Sequence, residues 1–228
     1  FDVISTIMKP IEKIMTGLPG YVVVVLIMQL LWWFGIHGPN VMSAVTTPFM
    51  TKMMATNLEL YQAGEGVTAS GVFYTAGSKY SIIANPFGSG WFSSTGSGIT
   101  MGLIIAVMLF SKRDDFKAIA KLAIPCGLFN INEPIIFGIP MVMNAMFAVP
   151  FFLAPVACVC CGYLVQYLGL CPLFIIDVPW TTPVGLFGFL ASSGNIMGGI
   201  WQIVIIVGVS TLIYTPFVIA ANRQEAEA

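Results

Sequence analysis

Glu133 lies at the centre of Phe129-Asn130-Ile131-Asn132-Glu133-Pro134-Ile135-Ile136-Phe137-Gly138-Ile139-Pro140, in a chain that keeps almost all of its charge out of its apolar runs. Removing an ionised carboxylate from water without a partner is costly, so an ionisable residue in an apolar setting marks a functional site by default. Pro134 disfavours an α conformation at Glu133, which places the carboxylate at a break in the chain and leaves backbone groups free. An ionised carboxylate only accepts hydrogen bonds, whereas the amides of Asn130 and Asn132 both donate and accept. That combination suits the alternating hydroxyls of a carbohydrate. The plainer reading is a structural glutamate that satisfies the broken backbone or pairs with a lysine.

Two other clusters carry chemistry. Trp32-Trp33-Phe34-Gly35-Ile36-His37-Gly38-Pro39-Asn40 holds the single histidine of the chain. On a continuous helix Trp33 and His37 would share a face, but Gly35, Gly38 and Pro39 argue against a regular helix there. The alternative is an interfacial aromatic belt with a hydrogen-bonded histidine at a helix end. In Asp177-Val178-Pro179-Trp180-Thr181-Thr182-Pro183, the Trp180 face can stack on a pyranose and the threonine hydroxyls can cap helix ends. An interfacial loop with Trp180 at headgroup level reads the same residues equally well.

The elements that must position these clusters belong to a membrane. Of 228 residues 57% are hydrophobic and 8% charged, with a mean hydropathy of +0.91, far from the roughly 25% charge of a soluble domain. A net charge of −1 excludes the basic surface that nucleic acid requires. The five cysteines, Cys126, Cys158, Cys160, Cys161 and Cys171, are odd in number and clustered, a poor disulfide framework better read as apolar packing. No metal-ligand spacing surrounds His37, no phosphate-binding glycine loop is present and no serine or cysteine is paired with a base, so no metal, nucleotide or other cofactor is expected.

A hydrocarbon core asks for about 20 apolar residues per crossing. Leu18 to Ile36, Phe87 to Phe110, Met141 to Leu170 and Ile196 to Ala221 qualify, the second least cleanly because its first half is rich in glycine and serine. Leu122 to Ile139 and Leu173 to Leu190 are interrupted by Pro125, Pro134, Pro172, Pro179 and Pro183, which predicts re-entrant or discontinuous segments, tolerated only where protein or a watery cavity surrounds them. Glycines 96, 98, 102, 194 and 198 read as close helix contacts. The fold class is therefore all-α, a polytopic helical membrane protein with discontinuous or re-entrant segments. Residues 1–17 pattern as an interfacial amphipathic helix bent at Pro10, and residues 18–228 as the membrane-embedded region. Lys112, Arg113, Lys117 and Lys121 after the second span and Arg223 after the last place those ends on the cytoplasmic side. The start at Phe1 reads as part of something longer.

Trp32 to Asn40, Asn130 to Asn144 and Val178 to Pro183, in that order and separation, resemble the sugar-transporting membrane subunit (enzyme IIC) of the bacterial phosphotransferase system, in its lactose, cellobiose and diacetylchitobiose family. The Asn-Glu-Pro-Ile-Ile-Phe-Gly-Ile-Pro run is the specific part, and the likeness is to the C-terminal half of such a subunit. It implies a multi-pass protein of the bacterial cytoplasmic membrane, a homodimer in lipid, that carries a β-linked disaccharide. A phosphorylated IIB protein would then phosphorylate the sugar on its 6-hydroxyl. By the same resemblance Glu133 and His37 act at the phosphorylation point, and Trp32, Gly38, Asn132 and Trp180 complete the sugar site, with Trp33 the lesser of the tandem pair. From the residues alone, a proton-coupled sugar transporter using Glu133 and His37 as a relay and a non-transporting structural membrane subunit stay open.

Overall fold

Proline is readily placed in the first turn of a helix, where its missing N–H has no acceptor to lose, and this chain uses it there repeatedly. Pro19 opens α1 (Leu18–Trp33), and Pro39 opens α2 (Gly38–Gln62). After a two-stranded antiparallel hairpin of β1 (Val67–Thr68) and β2 (Gly71–Val72), Pro86 opens α3 (Asn85–Trp91). Helices α4 (Met101–Phe110) and α5 (Asp114–Leu128) follow, and Pro134 stands in the first turn of α6 (Glu133–Gly138). The chain then forms α7 (Ala145–Tyr167), α8 (Leu186–Ala191) and α9 (Ile196–Ile203). A π-helical turn, Val204–Val209, joins α9 to α10 (Ser210–Glu227). The computed structural model describes residues 15–227, so the amphipathic helix expected over residues 1–17 falls almost wholly outside the described residues.

Helix α10 packs along α4 and α7, α1 packs on α7 and α2, and α5 packs on α4 and α6. Two apolar clusters fill the interior. One gathers Tyr21, Val25, Phe87, Trp91, Phe174 and Phe187, with the Trp91 and Phe174 rings stacked at 5.1 Å and 9°. The other gathers Leu103, Ile135, Ile136, Phe147, Phe151 and Tyr214. The outward faces are apolar as well: Val23, Leu26, Ile27 and Leu30 of α1 and Val149, Leu153 and Leu164 of α7 are exposed. A water-soluble fold would present polar residues there, and lipid tails are the solvent that suits these faces. Helices Ala145–Tyr167 and Ile196–Arg223 are long and apolar enough to cross a membrane, while Leu18–Trp33 and Met101–Phe110 are apolar but shorter.

The mostly helical, interrupted architecture matches the expected class, and several boundaries differ for physical reasons. Between Phe87 and Phe110 no continuous helix forms. The chain leaves α3 at Trp91 and runs through Thr95, Gly96, Gly98 and Ile99 at positive φ before α4 begins. Helix α2, between the first two expected spans, is a single element of 25 residues. Leu122 to Ile139 is discontinuous, but the break lies at Phe129 to Asn132 instead of at Pro125, which α5 absorbs. Leu173 to Leu190 is non-helical up to Gly185, with a turn closed by the Thr182 N–H on the Pro179 carbonyl, and then forms the short α8. All five cysteines are free thiols, with Cys158 and Cys171 buried in the first apolar cluster.

Candidate functional site

A broken helix leaves N–H and C=O groups that lipid cannot satisfy, so each break near the site needs polar side chains of its own. Asn130 supplies them for three segments at once. It sits at φ +66°, a conformation asparagine tolerates better than most residues. Its Oδ1 accepts from the Thr95 N–H at 2.6 Å, and its Nδ2 donates to the carbonyls of Trp180 at 2.5 Å and Thr182 at 2.9 Å. The loop after α3, the break before α6 and the extended strap ahead of α8 are thereby held to one side chain. Asn132 repeats the device, its Nδ2 donating to the Ser97 carbonyl at 2.5 Å. The Asn132 side chain also fills the space a Cβ would take on Gly96, which stands at φ +80°.

These joints enclose a cavity of about 720 Å³ whose wall includes His37, Asn40, Ser93, Ser97, Asn132, Glu133 and Trp180. Glu133 is half-buried, at the first position of α6. The pairing with a lysine that the plainer reading allowed is not formed among the described residues. His37 caps α2: its Nδ1 accepts from the Asn40 N–H at 3.3 Å. An accepting Nδ1 carries no proton, which assigns the proton to Nε2 and leaves that N–H as the donor. The cavity thus combines an acceptor-only carboxylate, an imidazole donor, serine hydroxyls and the half-exposed face of Trp180, which is 58% exposed.

His37, Asn132, Glu133 and Trp180, separated by up to 143 positions in the chain, meet at this cavity, whereas Trp32 and Gly38 do not line it. The Trp32 ring is buried behind His37, with the two rings 4.7 Å apart, and also packs on Phe137. Helical spacing would have put Trp33 on His37. Because α1 ends at Trp33 and Gly35 turns the chain at φ +80°, Trp32 takes that place. Trp33 instead accepts from the Met143 N–H at 3.1 Å through its carbonyl and sets its ring beside Phe34. Gly38 is where α2 crosses α1, since a Cβ there would run into the Met28 carbonyl. The amides of Asn130, expected to be open to a ligand, are spent on backbone, and Asn132 keeps only its Oδ1 without a partner among the described residues.

Ser93 and Ser97 were not expected at the site. Their signal was the run Ser93-Ser94-Thr95-Gly96-Ser97-Gly98, too polar for the span it was placed in. A further unforeseen residue is Gln202, fully buried on α9. Its Oε1 accepts from the N–H groups of Gly185 and Gly188 at the start of α8, and its Nε2 donates to the Gly90 carbonyl and Ser94 Oγ.

The chain matches the family model described as "Phosphotransferase system, EIIC" over residues 1–155. It is 34% identical over 230 aligned residues to the cellobiose-specific EIIC component of the phosphotransferase system of Lactococcus lactis, covering 96% of this chain and 46% of that protein. Against the oligo-beta-mannoside-specific EIIC component of Bacillus subtilis it is 33% identical, covering 97% of this chain and 48% of that one. Among solved structures it resembles the transporter ChbC, the IIC component of the N,N'-diacetylchitobiose-specific phosphotransferase system, with a TM-score of 0.85 at 31% identity, over 96% of this chain and 48% of that chain. The chain spans about half the length of these relatives. With two thirds of its residues inside the family model and a closely similar fold, the chain is a membrane component and belongs to the EIIC family of the phosphotransferase system.

Proposed function

We propose that this chain forms the sugar-binding and phosphorylation end of a multi-pass permease subunit that carries a β-linked disaccharide such as cellobiose, lactose or diacetylchitobiose. The observation that carries the proposal is the meeting of Glu133 and His37 in one cavity with Trp180 on its wall. Relatives with cellobiose, oligo-beta-mannoside and lactose in their names support the substrate class, as does the diacetylchitobiose transporter of similar fold. A pyranose presents alternating donors and acceptors around its edge and an apolar C–H face. The Glu133 carboxylate, the Nε2–H of His37 and the Trp180 ring answer those features in turn.

Phosphoryl transfer asks this subunit for positioning and charge placement more than for covalent chemistry. The sugar 6-hydroxyl oxygen attacks the phosphorus of a phosphocysteine on the IIB partner, the P–S bond breaks and the thiolate leaves. Glu133 orients that hydroxyl and stands within the cavity as the acceptor for its proton. His37, fixed by its bond from Asn40 and backed by Trp32, donates to a neighbouring sugar oxygen. The partner reading draws on a lactose-specific relative from Staphylococcus aureus in which the C and B components share one name, EIICB. The assembled protein is a homodimer in the cytoplasmic membrane.

The test uses the full-length polypeptide that carries this sequence, purified in detergent. Binding of cellobiose, lactose and diacetylchitobiose is measured, and phosphorylated IIB is then added. Binding followed by appearance of the sugar 6-phosphate is the expected result, and Glu133→Gln lowers that phosphorylation about 100-fold or more, the usual contribution of a positioned general base. Uptake of unmodified sugar that collapses with the proton gradient would replace this reading with proton coupling. No binding of any of the three would reject a sugar site.

A further inference from the structure

The loop between α3 and α4 is tied down along its length. Asn130 holds the Thr95 N–H, the Ser93 carbonyl holds the Gly96 N–H, and the Gly96 carbonyl holds the Ile99 N–H. Its carbonyls are held as well: Thr100 Oγ1 donates to Thr95 O at 3.0 Å, Asn132 Nδ2 to Ser97 O at 2.5 Å and Tyr214 OH to Gly98 O at 2.7 Å. The N–H groups of Ser97 and Gly98 make no hydrogen bond among the described residues, although both residues are buried. Buried amide N–H groups without a partner are rare and call for a ligand. Thr95, Gly96, Gly98 and Ile99 stand at φ +63°, +80°, +86° and +50°, with Ser97 between them outside the left-handed region. Alternation of the two hands turns successive N–H groups toward one side, a concavity that receives anions. Gly96 and Ser97 lie on the wall of the cavity beside Glu133. Ser97 is only 7% exposed and its Oγ has no partner among the described residues, and Ser93 Oγ on the same wall has none either.

We propose that this loop seats the phosphoryl group in transit, with the N–H groups of Ser97 and Gly98 and the hydroxyls of Ser93 and Ser97 donating to its non-bridging oxygens. The proposal rests on the phosphotransfer reading of the cavity. In that step the bond from phosphorus to the sugar O6 forms, the P–S bond breaks with its electron pair leaving on the partner's thiolate, and the O6 proton passes to Glu133. The non-bridging oxygens carry negative charge throughout, and they arrive beside a carboxylate. No lysine or arginine stands on the cavity wall, which leaves this chain's share of the task to neutral donors. Dipoles fixed in advance stabilise such charge without reorganising. Helix α4 starts at Met101, just past the loop, and brings the positive end of its dipole to it. Asn132 precedes Glu133 and holds the Ser97 carbonyl, so one joint sets the seat against the proton acceptor. On this arrangement Glu133 and His37 place the sugar hydroxyl, and the serine loop places the group that it attacks.

The experiment measures kcat and KM with phosphorylated IIB and the full-length protein in detergent, for the disaccharide it binds best, in wild type, Ser97→Ala and Ser93→Ala. Melting followed by tryptophan fluorescence establishes that each variant is folded. Each is expected to lower kcat at saturating sugar by about tenfold or more, the loss of one hydrogen bond to a charged group, with the sugar KM moving much less. Because the product carries the same phosphoryl group, the Kd for the sugar 6-phosphate is expected to rise about tenfold, and by more than the Kd for the free sugar. A KM effect with kcat retained, or equal weakening of sugar and sugar 6-phosphate, would make the serines sugar ligands and overturn the phosphoryl seat. So would a kcat within about twofold of wild type in both variants, or a wild type that binds the sugar but not its 6-phosphate. Should one variant fail to fold, the other variant and the wild-type binding of the 6-phosphate decide the matter. If wild type binds no sugar, or binds it and receives no phosphate from IIB, the phosphotransfer reading itself has failed.

Discussion

Replacing Asn130 by glycine and by alanine separates two contributions that its single side chain makes. Glycine keeps the φ of +66° without strain and deletes the bonds to Thr95 N–H, Trp180 O and Thr182 O. At about 1 kcal/mol net for each bond, the loss is about 3 kcal/mol. The Thr95 N–H, on a residue only 1% exposed, pushes the figure upward because it has no water to turn to. Alanine loses the same bonds and adds a left-handed penalty of about 1–2 kcal/mol, offset in part by glycine's greater unfolded-state freedom of about 0.5–1 kcal/mol. Alanine therefore falls below glycine by up to about 1.5 kcal/mol. For a chain of this size 1 kcal/mol corresponds to roughly 2–4 °C, so the glycine variant is expected to melt about 6–12 °C lower. Tryptophan fluorescence on heating the full-length protein in detergent reads this directly. Asn130→Asp is the third arm: it retains an acceptor for Thr95 but turns the donor into an acceptor facing two carbonyls, and it is expected to be the least stable of the three. A glycine variant within about 1–2 °C of wild type would refute the idea that this amide joins the three segments.

Gln202→Leu keeps the volume but strips partners from Gly185 N–H, Gly188 N–H, Gly90 O and Ser94 Oγ. Gly90 O and Ser94 Oγ still bond each other, so the two N–H groups are the orphans; at about 1–3 kcal/mol for each, the variant is expected to destabilise by about 2–6 kcal/mol in the same melting assay. Gly38→Ala drives a Cβ into the Met28 carbonyl and is expected to cost about 1–3 kcal/mol as α1 and α2 spread; sugar affinity falls with it if His37 moves, as titration calorimetry would detect. At the start of α5, two hydrogen bonds from the Arg113 guanidinium hold the Asp115 carboxyl below the usual carboxylate range. A depressed folded pKa gives stabilisation that is present above the unfolded value and lost as pH falls through the folded one. With the Asp115 side chain 53% exposed, the screened pair is worth about 0.2–1 kcal/mol. Asp115→Asn is expected to lower stability by that amount at pH 7, to remove that part of the acid slope below about pH 4, and to match wild type once the pH falls below the folded pKa.

The residues proposed for the chemistry of the site were more legible in the sequence than the scaffold that holds them. Glu133 stands out because charge is rare in this chain, and His37 because it is the single histidine; rarity of type survives without knowledge of the fold. The outward apolar faces of α1, α7 and α10 follow from composition alone. The interrupted segments around Pro134 and Pro179 were also visible, since proline and the residue before it constrain the backbone locally. What was not visible is where an interruption begins. Pro125 is carried within α5, while the break falls four residues later at Phe129 because Asn130 turns left-handed and finds three partners far away in the chain. The same limit hid the loop after α3: Gly96 and Gly98 look like helix-packing glycines by spacing, but they stand at φ +80° and +86°, with Asn132 and Phe151 packed against them. The resemblance put Trp32 in the sugar site and helical spacing put Trp33 beside His37; it is the Trp32 ring that lies behind His37, because residue spacing has no meaning across the turn at Gly35.

A membrane protein with broken helices has two competing uses for each amide it carries, and here the backbone takes most of them. Asn57 exchanges hydrogen bonds with Ser81, Asn222 holds the Phe110 carbonyl and the Lys112 N–H, Asn195 donates to the Ser70 carbonyl, and Asn130, Asn132 and Gln202 close the three breaks around the cavity. Water would perform this task for a soluble loop; in lipid the side chains must. Amides suit it because one group donates and accepts without charge. Once they are committed, the polar groups that remain toward the cavity are those a backbone cannot readily satisfy: the Glu133 carboxylate, the Nε2–H of His37 and small hydroxyls. The cost of breaking helices at membrane depth thus determines which residues are left for the ligand. It also explains why the neutral amides beside Glu133 belong to the frame of the site and the charged group to its function.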